Sequence, residues 1–345
     1  MSLPAIRISG REIGPENFPL VIAEIGINHE GDINKAKKMI DDAVAVGCEC
    51  VKFQSHVIDD EMIPNKVIPG NADESIWDIM NRCALSEKEE FELLDYCRQR
   101  DIIFLSTPFS RAAADRLERI GVEAFKIGSG ECNNFPLVEH IAAFGKPIIL
   151  STGMNTMNSI KKSVSILEKY SIPYAILHCT SIYPTPYNKV RLGVLSELRS
   201  CFPSAVIGLS DHSLSNYPCL ASVALGASII ERHFVSDKSW PGPDVEISMD
   251  PKDLKEMING CRIIYQCIGG TKTILPEEQP TIDFAYASVV SIADIEAGEE
   301  FTKKNIWVKR PGNGEILAGE FKQILKRKAN VDIPKNTQIQ RKWIR

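Results

Sequence analysis

Two periodicities alternate along the first 270 residues. Short runs of apolar and β-branched residues are each followed by a stretch with apolar positions three and four apart. The runs are 21–28, 49–55, 102–109, 124–131, 147–154, 175–183, 205–212 and 228–235. Near-continuous apolar character over so few residues marks strands buried on both faces. Between the first two runs, Ala36, Met39, Ile40, Ala43 and Val44 recur at helical spacing within 34–46. Ser86 precedes a helical stretch over 87–100, and Glu89 stands at the capping-box position. Segments 110–120, 156–170, 214–225 and 252–268 repeat the helical pattern. Eight strand–helix units in series predict a parallel α/β fold, and eight is the number that closes a (β/α)8 TIM barrel. An open doubly wound sheet is the rival. It usually has fewer strands and a glycine-rich phosphate loop after its first strand. Here the first strand ends in Glu24-Ile-Gly-Ile-Asn-His-Glu-Gly, which is not that loop.

The interval after the second run is too long for one helix. Residues 56–85 form an insertion without clear period, containing Ile68-Pro-Gly-Asn-Ala-Asp. Long loops of this kind often cover an active site. Past the eighth helix, Ile274-Leu-Pro-Glu-Glu-Gln-Pro-Thr reads as a linker. The expected organisation is a barrel over 1–272, a linker over 273–285 and a small second domain over 286–345. That second domain carries an internal echo, Asp294-Ile-Glu-Ala-Gly-Glu-Glu-Phe and Asp332-Ile-Pro-Lys-Asn-Thr-Gln-Ile, each read as a turn ending in a strand.

The chain has 345 residues, 44% hydrophobic and 25% charged, which are ordinary globular values. No apolar run reaches the ~18 residues of a membrane span. The opening Met-Ser-Leu-Pro-Ala-Ile-Arg lacks the apolar core of a signal peptide, so a cytoplasmic protein is expected. The net charge of -5 hides an asymmetry. Residues 286–345 hold 12 Lys/Arg and 7 Asp/Glu, which leaves 28 and 38 for the rest, so the tail is +5 and the body -10. A basic tail leaves nucleic acid open as a partner. Its lysines are not interleaved with stacking aromatics, which argues against that partner. The ten cysteines contain no CxxC and read as reduced core thiols. Cys48 and Cys50 are expected to share one face of a strand.

Polar residues gather where the runs end, which in a barrel is the catalytic mouth. Glu24, Asn28, Lys52, Gln54, Thr107, Lys126, Ser129, Glu131, Ser151, His178, Thr180, Ser181, Tyr183, Ser210, His212, Glu231 and His233 all fall there. Lys52 and Lys126 stand inside apolar runs, and a buried lysine needs a partner. Two cations with hydroxyls and glycine amides around them suit a phosphate or carboxylate. The alternative is a pair of ion bridges to Glu24 and Glu131. His212 and His233 end neighbouring strands, and two imidazoles would suit a divalent transition metal. The alternative is a pair of acid–base or hydrogen-bonding histidines. His178 reads as core, and His29, His56 and His140 receive no role.

The motifs Glu24-Ile-Gly-Ile-Asn-His-Glu-Gly, Ser106-Thr-Pro-Phe, Phe125-Lys-Ile-Gly-Ser-Gly-Glu, Leu150-Ser-Thr-Gly-Met, Leu209-Ser-Asp-His and Glu231-Arg-His-Phe closely resemble the sialic acid synthase family. Val308-Lys-Arg-Pro-Gly-Asn-Gly resembles that family's C-terminal antifreeze-like SAF domain, of β-clip type. Val67-Ile-Pro-Gly-Asn-Ala-Asp and Gly130-Glu-Cys-Asn-Asn look like the bacterial N-acetylneuraminate branch.

The resemblance implies condensation of phosphoenolpyruvate with N-acetylmannosamine, giving N-acetylneuraminate and phosphate with C–O cleavage. The same chemistry on another acylated amino sugar, as in legionaminic acid synthesis, is the alternative. Lys52, Thr107, Lys126, Ser129, Ser151, Ser181 and Ser210 would hold phosphoenolpyruvate. His212 and His233 would hold a divalent metal, Mn²⁺ first, with Mg²⁺ or Co²⁺ as the other choices. Glu24 would position or deprotonate the attacking water. Gln54, Asn71, Glu131, Tyr183 and Asp244 would contact the sugar. Arg310 would reach over from the partner in a domain-swapped homodimer. Two positions depart from some bacterial members, Ser181 where they have Asn and Phe53 where they have His. The strand period points Phe53 away from Lys52 and Gln54.

Overall fold

The computed structural model describes residues 3–345. The chain divides into two compact units, Met1–Ile268 and Gly269–Arg345. The first unit opens with a hairpin that the sequence pattern did not announce. Strands β1 (Ile6–Ile8) and β2 (Arg11–Ile13) pair antiparallel. Then come the eight expected strands: β3 (Leu20–Gly26), β4 (Cys50–Ser55), β5 (Ile103–Pro108), β6 (Phe125–Ile127), β7 (Ile148–Ser151), β8 (Tyr174–Cys179), β9 (Val206–Asp211) and β10 (Ile229–His233). They run parallel in the order β5-β4-β3-β10-β9-β8-β7-β6. The outermost two, β5 and β6, are neighbours in space without a hydrogen-bonded ladder. The sheet is therefore a (β/α)8 barrel with one unladdered seam.

Two apolar layers hold it. The larger lies between strands and helices, joining Val21, Ala23, Val51, Phe53, Phe125 and Ile207 to Met39, Leu93, Leu117, Val138 and Leu167. Phe53 stacks on Phe104 at 5.5 Å, so it does point away from the mouth. The smaller layer fills the inside, where Leu20, Ile22, Cys50, Leu105, Ile149, Leu177, Val206 and Ile229 meet Ile6, Ile8 and Ile13 of the hairpin. The hairpin thus plugs the floor of the barrel. Cys48 sits in the outer layer and Cys50 in the inner one, contrary to the shared face expected. Cys50 begins β4, so Cys48 precedes the strand and the two-residue period does not apply to it.

The helices follow their sequence signals. Asp32 caps Ile33–Ala45, and Ser86 caps Glu87–Gln99 in the expected capping box. The insertion contributes two short helices, Ile58–Glu61 and Ile76–Cys83. Most strands end earlier than their apolar runs. The expected strand 124–131, for example, covers only Phe125–Ile127, because the Gly128-Ser-Gly130 stretch turns away from the sheet. No described helix is long and apolar enough to cross a membrane.

The second unit starts at Gly269, ahead of the expected linker, in which Gln279–Ala285 is a helix. Strands β11 (Ser288–Ser291) and β12 (Ile306–Lys309) pair antiparallel over a core of Val289, Ile295, Phe301, Ile306, Ile316 and Ile333. The sequence echo has a structural basis. Ile295 and Ile333 exchange both backbone hydrogen bonds, at 2.9 and 2.8 Å. Asp332 accepts from the Ala297 amide at 2.7 Å, and Asp294 accepts from the Lys335 amide at 2.8 Å. Each repeat caps the other's turn.

Candidate active site at the barrel mouth

The parallel register decides which side chains meet. Glu24 is opposite both Lys52 and His233, Gln54 is opposite Thr107, and Ser210 is opposite Glu231. Opposed residues on parallel strands face the same way, so all of these converge at one end of the barrel. They line one cavity that opens to solvent. Twelve of the sixteen site residues named from sequence line it: Glu24, Lys52, Gln54, Thr107, Lys126, Ser129, Ser151, Ser181, Tyr183, Ser210, His212 and His233.

Both lysines are buried and partnered. Lys52 Nζ donates to Thr107 Oγ1 at 2.9 Å and lies 2.8 Å from Glu24 Oε2. Lys126 Nζ donates to Ser151 Oγ at 2.7 Å. Its carboxylate partner is Glu231 Oε1 at 3.3 Å, not Glu131. Glu231 Oε1 also accepts from Ser210 Oγ at 3.2 Å and lies 3.9 Å from Lys52 Nζ. Of the expected ion bridges, Lys52–Glu24 is present, and that of Lys126 runs to Glu231 instead of Glu131. The sequence places Glu231 at the mouth without a role, and a carboxylate inside an apolar run was the available signal.

Charge is unevenly held. Burial works against the Lys52 ammonium, but Glu231 and Glu24 outweigh it and raise its pKa above the usual lysine value. For Lys126 burial prevails, and with Lys52 nearby its pKa is lowered despite Glu231. Glu231 is lowered because the two lysines outweigh its own burial. Toward the loops the mouth offers donors. Ser129 Oγ accepts from the Gly153 amide at 2.9 Å, and Ser181 Oγ is buried without a partner. An unpaired buried hydroxyl costs stability unless a ligand or water meets it.

The two histidines stand at the other edge. Their ring centroids are 5.5 Å apart, with the Tyr183 ring 4.2 Å from His212. His212 Nδ1 is 3.0 Å from the Thr180 carbonyl, which makes Nδ1 the donor and leaves Nε2 facing outward chemistry. Burial alone would lower His212, but Cys179 and the Thr180 carbonyl push it up to about 9. His233 is lowered, chiefly by burial. Its Nδ1 is buried without a hydrogen bond, and Asp244 Oδ2 lies 3.8 Å away. Among the described residues no three His, Cys, Asp or Glu side chains are grouped to hold a metal. Two convergent imidazoles, one with an orphaned nitrogen, are the side chains that would hold a divalent metal here.

The remaining named residues lie elsewhere. Asn71 and Asp244 line an adjoining cavity, where Asn71 Nδ2 donates to the Pro243 carbonyl at 3.1 Å and to Asp244 Oδ1 at 3.3 Å. Gln54, Tyr183 and His233 line both cavities. Glu131 does not join them. It lines a separate cavity with Asp60 and Glu61, and its carboxylate accepts from Asn134 at 2.6 Å. The turn after β6 aims it outward. Arg310 belongs to the second unit and is exposed. His178 is core, bonded to the Val190 carbonyl at 2.6 Å.

Fold and site together define a (β/α)8 barrel whose mouth sets two carboxylate-balanced lysines beside a pair of histidines. The profile of the NeuB family matches residues 39–273, and that of the SAF domain matches 286–342. The chain belongs to the NeuB family, the sialic acid synthase family, and carries a C-terminal SAF domain. It is 38% identical to N,N'-diacetyllegionaminic acid synthase of Campylobacter jejuni, over 89% of this chain and 94% of that one. It is 33% identical to mouse N-acetylneuraminate-9-phosphate synthase, over 87% and 85%. Among solved structures, N-acetylneuraminic acid (sialic acid) synthetase from Leptospira borgpetersenii, in complex with citrate, aligns with a TM-score of 0.74. That match is 33% identical and covers 81% of this chain and 95% of the other.

Proposed function

We propose that this chain condenses phosphoenolpyruvate with an open-chain N-acylated amino sugar, N-acetylmannosamine in the first reading, releasing phosphate. The observation that carries it is the mouth itself: two buried lysines backed by Glu231 and Glu24, facing two convergent imidazoles. Lys52, Lys126, Thr107, Ser129, Ser151, Ser181 and Ser210 bind the phosphate and carboxylate of phosphoenolpyruvate. Gln54, Asn71, Tyr183 and Asp244 orient the sugar across the adjoining cavity. C3 of phosphoenolpyruvate bonds to the aldehyde carbon, and the aldehyde oxygen takes a proton from solvent to become a hydroxyl. A water oxygen adds to the cationic C2 and gives one proton to Glu24, which returns it to solvent. The bond from C2 to the phosphate oxygen then breaks, phosphate leaves with the remaining proton of that water, and C2 becomes a ketone. His212 and His233 hold a divalent metal, Mn²⁺ in this reading, which supplies Lewis-acid polarisation of the aldehyde when bound. Arg310 reaches the N-acyl group from the partner subunit of a domain-swapped homodimer.

A second reading keeps the chemistry and changes the sugar. The adjoining cavity is walled by Ile27, Pro69, Ile76, Ile79, Met80 and Pro243. Apolar walls suit a deoxy, diacylated sugar of the legionaminic type as well as they suit one acetyl group. Phosphate release measured against a panel of acylated amino sugars decides. Turnover with N-acetylmannosamine supports the first reading. Turnover only with a 2,4-diacetamido-6-deoxy sugar selects the second, and release with no sugar at all rejects both.

A further inference from the structure

His56 received no role from the sequence, yet it sits in an unbroken chain that ends at the mouth. Glu61 Oε2 lies 2.7 Å from His56 Nδ1, and His56 Nε2 lies 3.2 Å from Gln54 Oε1. Gln54 Nε2 donates to Glu24 Oε1 at 3.1 Å, and Glu24 Oε2 pairs with Lys52. The His56 ring is buried and stacks on Phe109 at 4.7 Å, and Phe109 lines the mouth. The short helix Ile58–Glu61 is itself fixed, because Asp60 accepts from the Ala112 amide at 2.7 Å.

The partners assign every hydrogen in this chain. A glutamine amide turned end for end keeps its outline, so its neighbours decide which end is which. Glu24 pairs with an ammonium and offers only acceptors, so the amide NH2 faces it. Gln54 Oε1 therefore faces His56, which must supply Nε2–H. The Glu61 carboxylate on the other side calls for Nδ1–H. Both ring nitrogens are donors, and Glu61 is the countercharge.

We propose that His56, held by Glu61, is a positioning residue that fixes the Gln54 amide, with one N–H on Glu24 and the other left for the bound sugar. This rests on the reading that an acylated amino sugar binds beside Gln54. Without the His56 donor, Gln54 Oε1 loses its buried partner and the amide is no longer held at both ends.

Two variants test it. His56→Phe keeps a ring on Phe109 and removes both donors. His56→Gln returns an amide N–H near the place of Nε2. In His56→Phe the KM for the sugar rises about tenfold, the order of one buried hydrogen bond, while the KM for phosphoenolpyruvate stays within about twofold. The melting temperature falls modestly, since Glu61 and Gln54 Oε1 lose a partner, and His56→Gln restores most of the sugar KM. An unchanged sugar KM in His56→Phe overturns the proposal. So does a joint loss of both KM values and of melting temperature that His56→Gln leaves unrepaired. If the wild-type chain turns over no sugar, the proposed reaction fails separately. The positioning role is then read by side-chain nitrogen NMR of the full chain, where a His56 ring with a single protonated nitrogen overturns it.

Discussion

Glu231 governs how much charge the mouth can carry. It is the only carboxylate within ion-pair distance of Lys126 among the described residues, while Lys52 also has Glu24. Glu231→Gln leaves Lys126 buried and unpaired, a change that costs about 3 kcal/mol when the charge stays. Lys126 can shed its proton, since its pKa is already lowered by burial, so the loss shrinks as pH rises. Denaturant unfolding at two pH values checks this, and added phosphoenolpyruvate should recover more stability in the variant than in the wild type. His212 makes the opposite kind of demand. With its pKa raised to about 9, the ring is protonated below that pH, and under the proposed metal role it must lose a proton to bind a cation. Mn²⁺ affinity should therefore rise with pH up to about 9 and release protons on binding, as calorimetry in buffers of different ionisation enthalpy would show. The lysines and histidines were legible because charge inside an apolar run is costly without a purpose. His56 was not, because its partners Glu61 and Gln54 meet it only after the insertion folds back.

Whole elements were legible where one periodicity dominates. All eight barrel strands and the capped helices follow their apolar spacing. The hairpin β1–β2 was missed because its two three-residue strands are too short to display a period. The insertion was legible as an insertion but not as helices, since Ile58–Glu61 is a single turn held by tertiary contacts. Glu131 was misplaced because the strand was expected to continue through the Gly128-Ser-Gly130 turn. In the second unit, the repeated Asp-Ile pair was visible, and its reciprocal capping explains it. Asp294→Ala and Asp332→Ala should each cost that unit about 1 kcal/mol. The double variant should depart from the sum, because the two caps flank the directly paired Ile295 and Ile333 and so share one bonded unit. Thermal unfolding of the four proteins measures both statements.

At the scale of the molecule, each unit has its own apolar core, and the basic tail lies within the second unit. Under the proposed homodimer, Arg310→Ala raises the KM for the sugar far more than that for phosphoenolpyruvate, and steady-state kinetics with each substrate varied would show it. Equal damage to both would count against a cross-subunit role. The barrel has its own weak line. Between β5 and β6 no backbone ladder closes the ring, and the proposed anion site straddles that gap, with Lys52 and Thr107 on one side and Lys126 and Ser151 on the other. A barrel is a set of staves, and this one lacks a hoop between two of them. An anion gripped from both sides supplies the missing clasp, so occupancy tightens the very strands that hold it. Under the proposed function, amide exchange along Ile103–Pro108 and Phe125–Ile127 should slow when phosphoenolpyruvate binds, more than along β9 and β10, which lie opposite the gap. The substrate would then be, for as long as it stays, part of the cooperage.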